Sequence, residues 1–442
     1  VLDELKALLR LAAPIVAAQV GMNAMGIVDT LVAGRLGEEA LAALALGNVV
    51  YFGFIVVGAG TLMSLDSAVS NAFGAGDLPR CRRWHSQGVF LALGLAPILI
   101  ALMQASTQLL LAIGYPPGLV ARSQEYLDIL VWGVPFAVLV SAYRSFVSAV
   151  DRAKILLVSA LLANIANAVL DVWLTRGGLG VPPQGVLGIA WSTVFCRGVL
   201  LAPLVWLVHI APSMKHFGPG LWRPHWPDLR HLLKVGIPAG LQFGAEVGTF
   251  GVAALFMGAL GDLPLAAHQV ALSFVSLIFM VPLGLGAAAA VRAGQAVGRR
   301  DGPGVRRAGV VAIGTGAVWS LFGMAILLLF PRPIAAGFGL TGEAFDLAVA
   351  LLGMAVLFQL VDNIQIVANG VLRGLADTRA AFLLVLAGHG LLAIPVAWFG
   401  GPGHFGEPRA IWLGLTLGLT ANSITLAVRF WKRSGEIGRE LA

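Results

Sequence analysis

The stretch VDTLVAGRLGEEALAALALGN at 28–48 lies over VAALFMGALGDLPLAAHQVAL at 252–272 without a gap. Gly34 meets Gly258, Leu36-Gly37 meets Leu260-Gly261, and Leu41-Ala42-Ala43 meets Leu265-Ala266-Ala267. The register runs outward over 6–83 and 230–307 at a constant offset of 224, so that Pro14 meets Pro238, Gly74 meets Gly298 and Asp77 meets Asp301. The offset is about half of the 442 residues, so the chain reads as one unit copied twice in tandem.

Composition says where such a unit lives. Hydrophobic residues make up 58% and charged residues 12%, with a mean hydropathy of +0.88. Soluble domains carry roughly 25% charged residues, so a soluble globular fold is excluded. The apolar runs reach the roughly 20 residues needed to cross a hydrocarbon core. A duplicated, apolar chain with a few buried carboxylates has the design of a carrier working around a central site. The first ten residues, with Asp3, Glu4, Lys6 and Arg10, are expected to form a charged helix entering the first span rather than a cleavable signal. The chain opens on Val, so an initiator Met or a short leader is expected ahead of it. Cys81 falls in a basic loop and Cys196 inside a span, which gives no disulfide framework. The pI near 9.9 comes from basic residues spread over loops beside spans, a mark of topology and not of a nucleic-acid stripe.

Hydropathy places spans near 11–33, 41–70, 86–113, 127–149, 155–175 and 186–210, then 231–259, 264–291, 308–330, 345–372, 379–400 and 409–430. The expected fold is an all-α polytopic membrane protein of twelve transmembrane helices. Six spans per half is an even number, so the halves enter the membrane in the same sense and form parallel repeats. The expected division is an N-lobe over 1–210, a cytoplasmic linker over 211–230 and a C-lobe over 231–442. Lys and Arg number 22 over the tails, the linker and the loops after even-numbered spans, against 5 on the opposite side. By the positive-inside rule both termini and the linker are cytoplasmic, which puts the chain in the cell inner membrane. The linker, SMKHFGPGLWRPHWPD at 213–228, is rich in Pro, Gly and aromatics and reads as a surface strap.

A charged side chain at the centre of a span costs roughly 2.5–3.5 kcal/mol on insertion scales, so each one needs a reason. In the fifth span Asn164, Asn167 and Asp171 follow i, i+3, i+7 spacing, one stripe of a helix. Two amides and a carboxylate supply the oxygens that a hard cation requires. Asp29 in the first span and Thr193 in the sixth complete the cage if those helices are neighbours, giving a candidate Na⁺ or proton site at Asp29, Asn167 and Asp171. The plainer reading, favoured for Asn164 alone, is an interhelical hydrogen-bond clamp. In the seventh span Gln242, Glu246 and Thr249 share a face, and in the tenth so do Gln359, Asp362 and Asn363. A Glu and an Asp facing each other across a lobe form a candidate proton site. Asp29 lands on Ala253 in the repeat and Glu246 on Met22, while near an offset of 225 Asp171 lands on Val396 and Asp362 on Ala137. The scaffold is symmetric and the carboxylates are not, which assigns the lobes different duties.

Weaker signals surround these. Arg144 and Arg197 either snorkel to a membrane face or neutralise buried carboxylates. His389 has no second His or Cys at metal-ligand spacing and reads as a packing residue with one hydrogen bond. Phe243, Met257, Phe274 and Met280, with Phe256, are candidates for lining a soft substrate cavity together with Gln242 and Gln359, although Phe and Met stripes are more often core. No Lys precedes Ser or Thr, so no Walker A motif exists, and no His-Glu-x-x-His, Gly-x-Ser-x-Gly or paired-Cys motif supports an enzyme.

Taken together, Pro14 with Gln19, the 28–48 stretch, NIANAVLD at 164–171, GLQFGAE at 240–246, LAAHQV at 265–270 and VDNIQIVANGVLRGLADTR at 361–379 resemble the multidrug and toxic compound extrusion (MATE) transporters, in particular their bacterial NorM-type branch. The resemblance spans essentially the whole chain. It implies two six-helix lobes around a V-shaped central cavity, and export of bulky organic cations in exchange for inward Na⁺ or H⁺, with no other cofactor and as a monomer in the lipid bilayer. It also implies that Asp29, Asn167, Asp171 and Thr193 form an N-lobe cation site, and that Glu246 and Asp362 are the C-lobe carboxylates. Phe358, one turn before Asp362, offers no hydroxyl, which favours H⁺ over Na⁺ in that lobe. Three rivals are weighed against this. A lipid-linked oligosaccharide flippase of the same superfamily needs a cationic cavity, whereas the intramembrane charges here lean acidic. An uptake carrier of the major facilitator type lacks the quoted motifs. A channel needs a lining repeated about an axis, which the asymmetric carboxylates oppose.

Overall fold

The computed structural model describes residues 1–178, 180–218 and 220–441. Among the described residues twelve helices are long and apolar enough to cross a membrane: α1 Leu2–Leu36, α2 Glu38–Gly74, α3 Leu78–Ala112, α4 Pro117–Ala149, α5 Lys154–Arg176, α6 Val186–His209, α7 Trp226–Leu260, α8 Asp262–Gly298, α9 Gly302–Leu329, α10 Gly342–Gly374, α11 Thr378–Gly403 and α12 Pro408–Glu440. The chain is therefore an all-α, multi-pass membrane protein. The repeat governs these boundaries: α1, α2 and α3 begin 224 residues before α7, α8 and α9.

Local chemistry explains why the breaks recur. Between α1 and α2 the chain turns on Gly37 at φ 113°, and between α7 and α8 on Gly261 at φ 124°. Backbone of that kind is open to glycine and strained for residues with a Cβ. The third helix of each half starts at an aspartate cap. The Asp77 carboxylate accepts from the Arg80 N–H at 3.0 Å, and that of Asp301 from the Gly304 N–H at 2.8 Å. Each cap satisfies one of the free donors at a helix start, and a proline follows in the first turn, where its missing N–H costs nothing.

The helices sort into two compact units. One comprises Ala13–Gly240; the other combines Leu241–Ala442 with Val1–Ala12. In the second unit α8 and α10 pack backbone to backbone. A Cβ on Gly370 would fall on the Gly286 carbonyl oxygen, and one on Gly374 on that of Ala290. Small residues that admit this approach replace the hydrophobic drive that lipid does not supply. An apolar cluster containing Met257, Leu351, Phe358, Trp412 and Leu415 fills the space around them. α11 departs from regular α geometry at two π-helical stretches, His389–Ala393 and Phe399–Gly403.

The strap is held by the first unit. A 3₁₀ helix at Pro212–Phe217 buries Met214 and Phe217, and the Phe217 ring lies 6.5 Å from Phe73 and 6.0 Å from Phe146. Beyond it the buried Gln87 amide donates to the carbonyls of Leu221 and Arg223 at 3.1 and 2.9 Å and accepts from the His225 N–H at 2.8 Å. One glutamine thus satisfies three backbone groups of a segment without a regular ladder of its own.

Candidate functional site

Among the described residues each unit brings a pair of buried carboxylates together with polar neighbours. In the first, α1 supplies Asp29, α5 supplies Asn167 and Asp171, and α6 supplies Thr193, all buried. The Asn167 amide donates to Asp29 Oδ1 at 2.9 Å, and the Thr193 hydroxyl to Asp29 Oδ2 at 3.3 Å. Three helices therefore converge on one carboxylate. Asn167 Oδ1, both Asp171 oxygens and the Ser192 hydroxyl oxygen are buried and make no hydrogen bond of regular geometry among the described residues. Buried oxygens left in that state are costly, and their donor set suits a hard monovalent cation or a proton. Among the described residues no three His, Cys, Asp or Glu side chains gather as a metal site, so a cation here would rely on amide and hydroxyl oxygens as well as the two carboxylates.

Asn164 stands apart: its amide donates to the Ala160 carbonyl at 2.8 Å within α5, and among the described residues no hydrogen bond from it to another helix is seen. Two buried tyrosines that the periodicity did not single out lie in the same unit. Tyr126 of α4 donates to Asn48 at 3.4 Å and lies within electrostatic range of Asp29 and Asp171. Tyr51 of α2 accepts a hydrogen bond from Arg197, whose guanidinium sits 4.3 Å above the Tyr51 ring. A tyrosine inside an apolar helix was the only available signal for either. Among the described residues the contacts of Arg197 are to Tyr51 and not to either carboxylate of the cluster.

In the second unit Glu246 on α7 and Asp362 on α10 are both buried and within electrostatic range of each other. The amides of Gln242 and Gln365 converge on Glu246 Oε1, at 3.2 and 3.0 Å. Gln365 went unnoticed in the sequence, although it lies three residues beyond Asp362 and so on the same helix face. Arg373, also buried, acts electrostatically on Glu246 and lies 5.9 Å from the Phe243 ring.

The structure divides the tenth span's polar stripe. Gln359 donates to Asn363 at 2.9 Å, and Asn363 to Ser320 of α9 at 2.8 Å, a polar thread separate from the carboxylates. Thr249 bonds the Ala245 carbonyl at 2.8 Å along its own helix. Met257 is wholly buried in the apolar cluster, and Phe274 packs against that cluster, while Met280 is half-buried. Phe358 is buried between the rings of Phe250 and Trp412, at 6.0 and 5.3 Å. His389 is buried in the π-helical stretch, and its ring nitrogens find no hydrogen-bond partner among the described residues, where the sequence led us to expect one.

Known proteins agree with this architecture. The MatE family model matches twice, at 14–173 and 238–399, with starts 224 residues apart. The probable multidrug resistance protein NorM of Bradyrhizobium diazoefficiens is 37% identical, over 97% of this chain and 93% of that protein. The multidrug resistance protein NorM of Burkholderia vietnamiensis is 34% identical, over 97% and 94%. Among solved structures, the eukaryotic MATE transporter AtDTX14 superposes with a TM-score of 0.91 at 20% identity, covering 100% of this chain and 99% of that one. A MOP superfamily transporter of Pyrococcus furiosus, described as having a binding pocket of reverse polarity that suggests a different function, reaches 0.86 at 20% identity over 98% and 96%. The fold is thus shared between proteins described as differing in function, while the closer sequence relatives carry one name. The chain belongs to the MatE family of multi-pass membrane transporters, which are not enzymes.

Proposed function

We propose that this chain is a secondary antiporter that exports organic cations, including drugs and toxins, in exchange for inward H⁺ or Na⁺. The observation that carries the reading is the pair of buried carboxylate clusters, one per unit, set at positions the internal repeat does not share. Carboxylates cost too much in a membrane interior to persist there as packing, and repeat symmetry alone does not account for them. The names of the NorM relatives support the same direction. The excess of Lys and Arg on one side supports an inner-membrane protein with cytoplasmic termini.

In this reading the ionised carboxylates attract the organic cation. An incoming ion then binds Asp29 and Asp171, or Glu246 and Asp362, and removes that attraction, so the substrate leaves outward. The halves rock, the ion is released to the cytoplasm, and the carboxylates recharge. Asn167 and Thr193 orient Asp29 from two sides, while Gln242 and Gln365 orient Glu246 through one oxygen. The first cluster has oxygens enough for H⁺ or Na⁺. Phe358, one helical turn before Asp362, offers no oxygen ligand and its ring packs against Trp412, which favours H⁺ for that cluster. Competition supplies the differential affinity that an exchange cycle requires.

Equilibrium binding of tetraphenylphosphonium to the purified protein, titrated separately with acid and with NaCl, tests this. Displacement by protons or Na⁺ beyond that by choline chloride is expected. Binding indifferent to both ions would remove the antiport reading.

A further inference from the structure

Two helices do not stay within one half of the molecule. α1 is a continuous helix whose first residues, Val1–Ala12, belong to the unit containing Leu241–Ala442, while its remainder belongs to the other. α7 repeats this in reverse: its residues up to Gly240 belong to the first unit and the rest to the second. The two crossing points are related by the repeat to within about one helical turn.

Each crossing segment is anchored by the same positions. Leu8 and Leu11 are buried at 1% and 6% exposure, and their repeat equivalents Leu232 and Val235 at 0% and 6%. Each segment also carries an acid at one shared repeat position, Glu4 and Asp228, which lie 224 residues apart. Arg292 of α8 grips both Glu4 oxygens, Nε to Oε1 at 2.8 Å and Nη2 to Oε2 at 2.7 Å. Arg83 of α3 donates to Asp228 Oδ2 at 2.6 Å, with His225 Nδ1 3.2 Å from the same oxygen. The acids are repeat equivalents and the arginines are not, since Arg292 aligns with Ala68 and Arg83 with Arg307. The two carboxylates are 12% and 14% exposed, so each is held and largely covered.

We propose that Glu4–Arg292 and Asp228–Arg83 are two equivalent latches, whose arginines are positioning residues of the transport cycle, and that both open as the transporter changes conformation. The proposal rests on the antiport reading and adds its moving parts. A helix that belongs to both halves cannot follow both as they part. Either the helix breaks, which strands backbone hydrogen bonds, or its end lets go of one half. The Arg292–Glu4 fork is specific in geometry, and the charges of each pair return to water, where an ion pair contributes little, once the helix end lets go. The rival is a bend at Pro14 and Pro238, which lie next to the crossings and each remove one helical hydrogen bond; in that case the latches stay shut.

Spin labels on neighbouring exposed positions decide between the two. With Cys81 and Cys196 replaced by Ala, the pairs Lys6→Cys with Arg299→Cys and Ala75→Cys with Arg230→Cys report the two latches at repeat-equivalent sites. Double electron–electron resonance in nanodiscs is recorded at acidic and alkaline pH, with and without Na⁺ and tetraphenylphosphonium. A second, longer distance population is expected in both pairs under the same condition. Arg292→Gln and Arg83→Gln should raise its fraction several-fold, and exchanging the charges (Glu4→Arg with Arg292→Glu) should restore it. Distances that stay single and unshifted in every condition, or lengthening in one pair only, would overturn the proposal. Gradient-driven efflux by the unlabelled protein is measured alongside. Moving latches without efflux would remove the antiport reading and keep the latches, whereas efflux with static latches would do the reverse.

Discussion

Asn167 on α5 donates to Asp29 on α1 at 2.9 Å, across 138 residues of chain, and both groups are buried. The contact ties the first helix of the repeat to the fifth through a group that carries charge. A hydrogen bond to a charged partner contributes about 1.5–3 kcal/mol. Asn167→Leu should therefore weaken cation-dependent displacement of an organic cation by about tenfold or more, at 1.4 kcal/mol per decade. Titration of tetraphenylphosphonium binding with acid and NaCl checks it, and an unchanged displacement curve would place Asn167 outside the site.

Glu246→Gln and Asp362→Asn remove the ionisable groups of the second cluster while keeping shape and hydrogen-bonding capacity. Both variants should lose coupled export and keep a wild-type thermal unfolding midpoint, because replacing a buried carboxyl by an amide of similar size leaves no cavity. Coupled flux unchanged in both would exclude these residues from coupling.

Organic-cation binding should weaken as pH falls. The sign follows from charge: protonation removes the carboxylates that face the substrate, so affinity is greatest where they are ionised. The slope should become shallower in Asp29→Asn and in Glu246→Gln. Affinity that rises on acidification would contradict the electrostatic part of the mechanism.

Two glycines of α10 provide an internal control on packing. A Cβ at Gly370 would meet the Gly286 carbonyl, whereas one at Gly353 meets nothing within 4 Å. Gly370→Ala should destabilise by about 1–3 kcal/mol through overpacking, and Gly353→Ala should be neutral or gain up to about 1 kcal/mol from helix propensity. Thermal unfolding in detergent, followed by light scattering or intrinsic fluorescence, distinguishes the two.

The legible part of the fold was what a period and an offset record. Apolar length located the twelve spans, and the Gly37–Gly261 and Asp77–Asp301 pairs that marked the repeat proved to be its turns and caps. Helical spacing also singled out Asn167, Asp171, Glu246 and Asp362, all of which are buried, because a carboxylate in an apolar run is conspicuous. Spacing was less able to say which neighbours each polar residue meets. Gln359 and Asn363 share a broad face with Asp362, yet they bond toward Ser320 on α9, a helix whose position the tenth span does not encode. Tyr51 meets Arg197 and Tyr126 meets Asn48 across long sequence separations, and an aromatic residue in a membrane span is too ordinary to announce that. The unit boundaries inside α1 and α7 were hidden for a similar reason. Hydropathy reports where a helix is, and contact with other helices decides which half it joins.

Efflux of a fluorescent organic cation from proteoliposomes, driven by a pH gradient or a Na⁺ gradient imposed separately, tests the central claim most directly. Export under at least one gradient, lost in Asp171→Asn or in Glu246→Gln, is the predicted result. Export that proceeds equally without either gradient, or that survives both substitutions at the wild-type rate, would contradict the account.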